Sequence, residues 1–135
     1  MTPTAANPGR LAPVQTDRAP AAIGPYSQAI RAGNLLFLSG QIALDPQTGE
    51  LVEGGFEAQV ERAVSNMIAV IDAAGGRLAD VAKLTLFLTD LANFPLANEI
   101  MKRRFEAPYP ARSTVGVASL PKGALFEIEA VVVLG

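Results

Sequence analysis

The chain has 135 residues, of which 50% are hydrophobic and only 6% aromatic, and a formal net charge of −2 from 11 basic and 13 acidic side chains. That length fits one domain, too small to enclose a deep cleft alone, which favours subunit interfaces as the place for a pocket. The charge balance supplies no accumulated field of Lys and Arg for nucleic acid or an anionic membrane. With no His and no Cys in the sequence, imidazole bases, thiolate nucleophiles, disulfides and the usual zinc ligand sets are excluded. No apolar stretch approaches the ~18 residues of a membrane span. Pro3, Pro8 and Pro13 interrupt any secretory apolar region, so a soluble, cytoplasmic protein is expected.

Residues 1–12 mix Pro, Gly, Ala and Thr without a period and read as a flexible extension, leaving 13–135 as the domain. Regular structure is expected near Pro13 to Asp17. A hairpin should follow from Ser27 to Arg31 and Leu35 to Gly40, turning at Ala32-Gly33-Asn34. Asp45 to Glu50 reads as another turn. From Phe56 to Ala74 the residues Phe56, Val60, Ala63, Val64, Met67, Ile71 and Ala74 recur at helical spacing, and Gly75-Gly76 supplies the stop. The period changes to two over Val81 to Thr89, with Leu84, Leu86 and Leu88 on one side.

A second helix is expected from an N-cap at Asn93, with Pro95 in its first turn and Ala97, Ile100, Met101 and Phe105 inward. Its Lys102-Arg103-Arg104 run reads as a solvated face. Strands Ser113 to Ser119 and Leu125 to Leu134 close the chain. The last strand alternates Phe126, Ile128, Ala130, Val132 and Leu134 against Glu127, Glu129, Val131 and Val133. Both of its faces are substantially apolar, which calls for a partner sheet or subunit on the second. The order β-β-α-β-α-β-β predicts an α+β fold, a sheet with two helices on one face.

Arg112 stands at the mouth of one apolar strand, and Glu127 lies in the next. A guanidinium grips a small carboxylate through two parallel N–H···O bonds, and a nearby glutamate holds or activates water. Together they suggest hydrolysis of a small anionic substrate. Glu127 and Glu129 share a face, so either could instead pair with a basic residue.

Five ordered motifs sharpen this reading: Gly24-Pro25-Tyr26-Ser27-Gln28-Ala29, Leu38-Ser39-Gly40-Gln41, Pro46-Gln47-Thr48-Gly49-Glu50, Pro110-Ala111-Arg112-Ser113 and Glu127-Ile128-Glu129. From about Thr16 onward the chain resembles the reactive-intermediate deaminase A (RidA, YjgF-like) family. The resemblance implies a homotrimer whose sheets form a central barrel, with active sites between subunits. It also implies hydrolysis of the 2-imino acids 2-iminobutanoate and 2-iminopropanoate to 2-keto acids and ammonia. Those substrates arise from pyridoxal-phosphate-dependent dehydratases, and no cofactor or metal is implied.

By the same resemblance, Arg112 binds the substrate carboxylate and Glu127 attends the attacking water. Tyr26 and Ser39 join Glu127 in the catalytic group, and Asn98 and Thr114 join Arg112 in substrate binding. Gly40 reads as structural, allowing close approach, and Gln28, Gln41 and Asn66 as structural hydrogen-bonders. Two positions depart from the family pattern. Thr114 stands where many members carry Cys, which puts thiol-dependent functions in doubt, and Met101 stands where relatives often carry an aromatic. A non-catalytic module binding small carboxylates would keep Arg112 without needing Glu127. A ribonuclease or translation inhibitor would need phosphate contacts that the charge balance disfavours.

Overall fold

A computed structural model describes residues 10–135. The strands are β1 (Leu11–Val14), β2 (Ala29–Ala32), β3 (Leu35–Gln41), β4 (Val81–Leu88), β5 (Ala111–Gly116) and β6 (Phe126–Val133), and the helices are α1 (Gly55–Ala73) and α2 (Phe94–Arg104). The strands form one sheet in the order β1-β2-β3-β6-β4-β5. Neighbours are antiparallel except β4 and β5, which run parallel. A parallel pair needs a crossover, and α2 is that crossover.

Cross-strand partners define two faces. Leu84, Leu86 and Leu88 of β4 lie opposite Ala130, Ile128 and Phe126 of β6, while Leu36 and Leu38 of β3 meet Val132 and Ala130. All are buried under the helices, together with Val60, Ala63, Val64, Met67 and Ile71 of α1 and Ala97, Ile100 and Met101 of α2. The Phe56 ring of α1 meets Phe126 edge-on, with centroids 6.0 Å apart. This is the α+β architecture that the period changes predict.

The other face is open in the single chain. It carries Leu35, Phe37, Val115 and Val133, of which Phe37 is 46% and Val133 42% exposed. No helix among the described residues is long and apolar enough to cross a membrane.

Several turns form for the reasons their sequences suggest. Gly75 takes a positive φ of 84°. The Gly76 N–H then donates to the Ile71 carbonyl and the Gly75 N–H to Asp72, the paired bonds of a left-handed helix stop. The Asp45 carboxylate accepts from the backbone N–H groups of Gln47 and Thr48, at 2.8 and 3.3 Å. Asn93 precedes α2 but makes no side-chain cap; Asp90 caps the preceding turn instead, accepting from the Ala92 N–H at 2.9 Å.

Boundaries differ from the sequence expectation at both ends. β1 begins at Leu11, inside the stretch read as extension, because an edge strand tolerates Pro13 and its missing N–H. Residues 1–9 lie outside the described part. β5 runs Ala111–Gly116 rather than Ser113 to Ser119, since its parallel pairing starts at Lys83↔Ala111.

Candidate active site

Arg112 is the second residue of β5, the edge strand that α2 delivers to the side of β4. Its register partner is Leu84, which is buried beneath the helices, so the Arg112 side chain belongs to the helix-covered face. There α2 meets it with residues on successive turns, since positions four apart share a helix face. The Arg112 Nη2 donates to Asn98 Oδ1 at 2.9 Å. The guanidinium also stands 5.6 Å from the centre of the Phe94 ring, within cation–π range.

A groove of about 370 Å³ opens beside it, floored by Leu84, Met101 and Phe105 and edged by Asn98, Lys102 and Arg112. Arg112 forms no ion pair among the described residues. Its fork is oriented by neutral groups and keeps its charge for a ligand. Thr114 lies two residues on, paired with Leu86 on the same face. Its Oγ1 is buried without a hydrogen-bond partner among the described residues.

Glu127 has Phe87 as its register partner. Alternation along β4 sets Phe87 opposite in direction to Leu84 and Leu86, so Glu127 belongs to the open face. Within one chain, therefore, the carboxylate expected near the guanidinium is not near it: Arg112 and Glu127 lie on opposite faces of the sheet.

Glu127 shares its side with the other expected catalytic residues. A cavity of about 540 Å³ is lined by Tyr26, Ser39, Gly40, Gln41, Lys122 and Glu127, among others. A register shift between Leu38 and Gln41 breaks the β3 ladder at Ser39-Gly40, a bulge of the kind that re-aims side chains beside functional sites.

Gly40 has a specific reason to lack a side chain. A Cβ built there would fall 1.8 Å from Glu127 Oε2 and 2.8 Å from its Cδ, so any larger residue displaces the carboxylate. The Ser39 hydroxyl donates to the Ser27 carbonyl at 2.6 Å. Its proton is committed, and it faces a ligand as an acceptor.

Gln28 fixes the loop that carries Tyr26: its Oε1 accepts from the Thr16 N–H at 2.8 Å, and its Nε2 donates to the carbonyls of Thr16 and Pro20 at 3.0 and 2.8 Å. Asn66 is likewise structural, donating to the carbonyls of Ile42 and Leu44 at 3.1 and 2.9 Å. Burial in this cavity pushes the Glu127 carboxyl above the usual carboxylate range, and the neighbouring Glu129 adds to the shift. Lys122 does not offset it; its ammonium donates to the Gly49 carbonyl at 3.1 Å.

The six expected residues thus form two half-sites. Arg112, Asn98 and Thr114 occupy one face, and Glu127, Tyr26 and Ser39 the other. Sequence reading missed Phe94 and Lys102 as neighbours of the guanidinium. The signal was present, since Phe94, Asn98 and Lys102 are spaced four apart on α2.

Comparison with known proteins gives the family. Residues 16–134 match the family described as Endoribonuclease L-PSP. A 2-iminobutanoate/2-iminopropanoate deaminase of Dermatophagoides farinae is 47% identical over 121 residues, covering 90% of this chain and 94% of that protein. Among solved structures, RidA from the Antarctic bacterium Psychrobacter sp. PAMC 21119 superposes with a TM-score of 0.88 at 49% identity, covering 91% of this chain and 99% of that one. TdcF of E. coli with bound serine gives a TM-score of 0.87 at 43% identity, covering 92% and 99%. On the match across 16–134 and these relatives, the chain belongs to the Endoribonuclease L-PSP family, the RidA/YjgF family that its five sequence motifs resemble.

Proposed function

We propose that this protein is a deaminase that hydrolyses 2-imino acids, 2-iminobutanoate and 2-iminopropanoate among them, to 2-keto acids and ammonia. It works as a homotrimer in which the Arg112 groove of one copy meets the Glu127 cavity of its neighbour. The observation that carries this reading is the division of the site. Among the described residues, one face holds an oriented guanidinium without an ion pair, and the other a carboxylate without one and with a raised pKa. The apolar open face, with Phe37 and Val133 exposed, supports packing against other copies. Serine bound to the related TdcF is a ligand with the expected carboxylate and α-nitrogen.

In this mechanism Arg112 takes the substrate carboxylate through its planar fork, with Asn98 and Phe94 limiting its rotamers. A water donates one hydrogen to Ser39 and the other to Glu127. A carboxylate whose pKa is raised is a stronger base than an ordinary one. Glu127 removes the proton as the water oxygen bonds to the imine carbon, the C=N π pair moves to nitrogen, and the Glu127 carboxyl returns that proton to the nitrogen. Glu127 then carries the hydroxyl proton of the resulting carbinolamine to its nitrogen; the freed oxygen pair forms the C=O bond as the carbon–nitrogen bond breaks with its pair on nitrogen, releasing ammonia and leaving the 2-keto acid. Tyr26 lines the same cavity and orients the water or the nitrogen. Orientation and electrostatics suffice because an imine needs no strong nucleophile.

The substrates come from pyridoxal-phosphate-dependent dehydratases, and the protein acts with them in the cytoplasm. The test is a coupled assay in which threonine dehydratase releases 2-iminobutanoate and 2-keto acid formation is followed with and without the protein. Faster keto-acid formation is expected, and a rate equal to that in buffer would refute the proposal.

A further inference from the structure

The stripe on α2 that holds Arg112 ends in a second cation. In sequence Lys102-Arg103-Arg104 reads as one solvated face, but its members diverge in the fold. Arg103 reaches Glu57 at 3.2 Å and Arg104 pairs with Glu61, so both tie α2 to α1. Lys102 stays on its own helix and lines the Arg112 groove. Among the described residues its only ion pair is with Glu99 at 3.9 Å, with side chains 67% and 64% exposed. Such a pair is weak and exchanges readily for a ligand.

Lys102 follows Asn98 by one helical turn, placing their Cβ atoms about 5–6 Å apart, and Asn98 is bonded to Arg112. The groove therefore presents two cationic centres above the apolar floor of Leu84, Met101 and Phe105, with no carboxylate in its lining. A ligand with one carboxylate satisfies Arg112 and leaves Lys102 unused.

We infer that Lys102 is a specificity-determining residue that extends the clamp to 2-imino acids bearing a second carboxylate on the side chain. The inference rests on the deaminase reading of this same site. Arg112 holds the carboxylate beside the imine carbon, Lys102 holds the distal one, and the intervening methylenes lie on Met101 and Phe105. The bond changes are those of the hydrolysis above, and the distal carboxylate takes no part in them.

The test compares wild type, Lys102→Met and Lys102→Glu on imino monoacids and diacids, generated in situ by oxidases acting on neutral and acidic amino acids. Lys102 is exposed, so both variants should fold. Lys102→Met should keep kcat/KM for the monoacid within about twofold and lose about tenfold for the diacid, mainly through KM. Lys102→Glu should lose more, and added salt should shrink the wild-type preference. Equal changes on both substrates, or none on the diacid, would overturn the role. Calorimetric binding of a 2-keto diacid and a 2-keto monoacid separates the two claims. If the wild type hydrolyses neither imine, the deaminase reading fails, while diacid binding that weakens in Lys102→Met still upholds the Lys102 contact. Diacid binding that does not change refutes it.

Discussion

On the helix-covered face, Arg112 is held by the Asn98 amide and the Phe94 ring before any ligand arrives. On the open face, Glu127 has a cavity, a glycine beneath it and no counter-ion among the described residues, and both burial and Glu129 oppose its charge. The contrast suits the roles proposed for the two groups. A clamp gains from being fixed, because less rotamer entropy is lost on binding. A base gains from being destabilised as an anion, because that raises its proton affinity. Neither half-site holds what the other provides, and this division in one chain is the physical argument for completing the site between copies.

The most severe way to break the comparison is to damage the two halves in different chains. Arg112→Ala and Glu127→Gln should each lower kcat/KM by roughly ten- to a hundredfold, the scale of losing a charge-assisted hydrogen bond of about 1.5–3 kcal/mol. If one copy supplies the clamp and its neighbour the base, co-assembled mixtures of the two variants regain intact sites. Random assortment at equal amounts leaves roughly one site in four complete. Activity of refolded or co-expressed mixtures should rise far above either variant alone. Mixtures as inactive as their components would show that both residues serve the same site from one chain.

Much of this layout could be read from the sequence, and the rest could not for definable reasons. The helix over Phe56 to Ala74 and the strands of Leu84 and Phe126 announce themselves because a strong local period coincides with burial in the core. Strand partners are less legible. Nothing in the residues of β5 says that it runs parallel to β4, and that pairing turns Arg112 toward α2 and away from Glu127. Composition suggested extension at Leu11, where an edge pairing to Ala32 decides otherwise. The motifs brought six candidate residues to notice, but their division between faces needed the sheet register.

A smaller effect is expected at Thr114, which tests whether the clamp face includes more than Arg112 and Asn98. Its hydroxyl is buried without a partner, and a buried polar group in that condition costs about 1–3 kcal/mol in proteins. Thr114→Val keeps the branch and removes the hydroxyl, so it should raise stability by about 1 kcal/mol or more. Imine hydrolysis should stay within about tenfold, or ~1.4 kcal/mol of barrier. Denaturant midpoints and the coupled assay read the two effects separately. A stability gain with a loss of activity like that of Arg112→Ala would mean that the unpaired hydroxyl serves the substrate.

The smallest effect concerns the stability of the open-face half-site, because Glu127 is only half-buried and solvent screens part of its charge. Its carboxyl is raised above the ordinary range by burial first and by Glu129 second, so the folded chain binds that proton more tightly than the unfolded chain. The associated stabilisation is fully present below the unfolded pKa and is lost as pH rises through the folded one. Above the folded pKa wild type therefore carries an ionised group that the fold disfavours, and Glu127→Gln, which carries none, should melt at a higher temperature there. The gap should narrow as pH falls through the carboxylate range and close once Glu127 is protonated. Thermal unfolding of both proteins across that range, at one protein concentration, measures it. A gap that is constant with pH would assign the gain to packing, and a variant less stable than wild type at neutral pH would mean that a neighbouring subunit supplies Glu127 with a partner. The stability penalty and the catalytic role would then have separate origins, whereas a gap that closes with acid ties both to the same unpaired carboxylate.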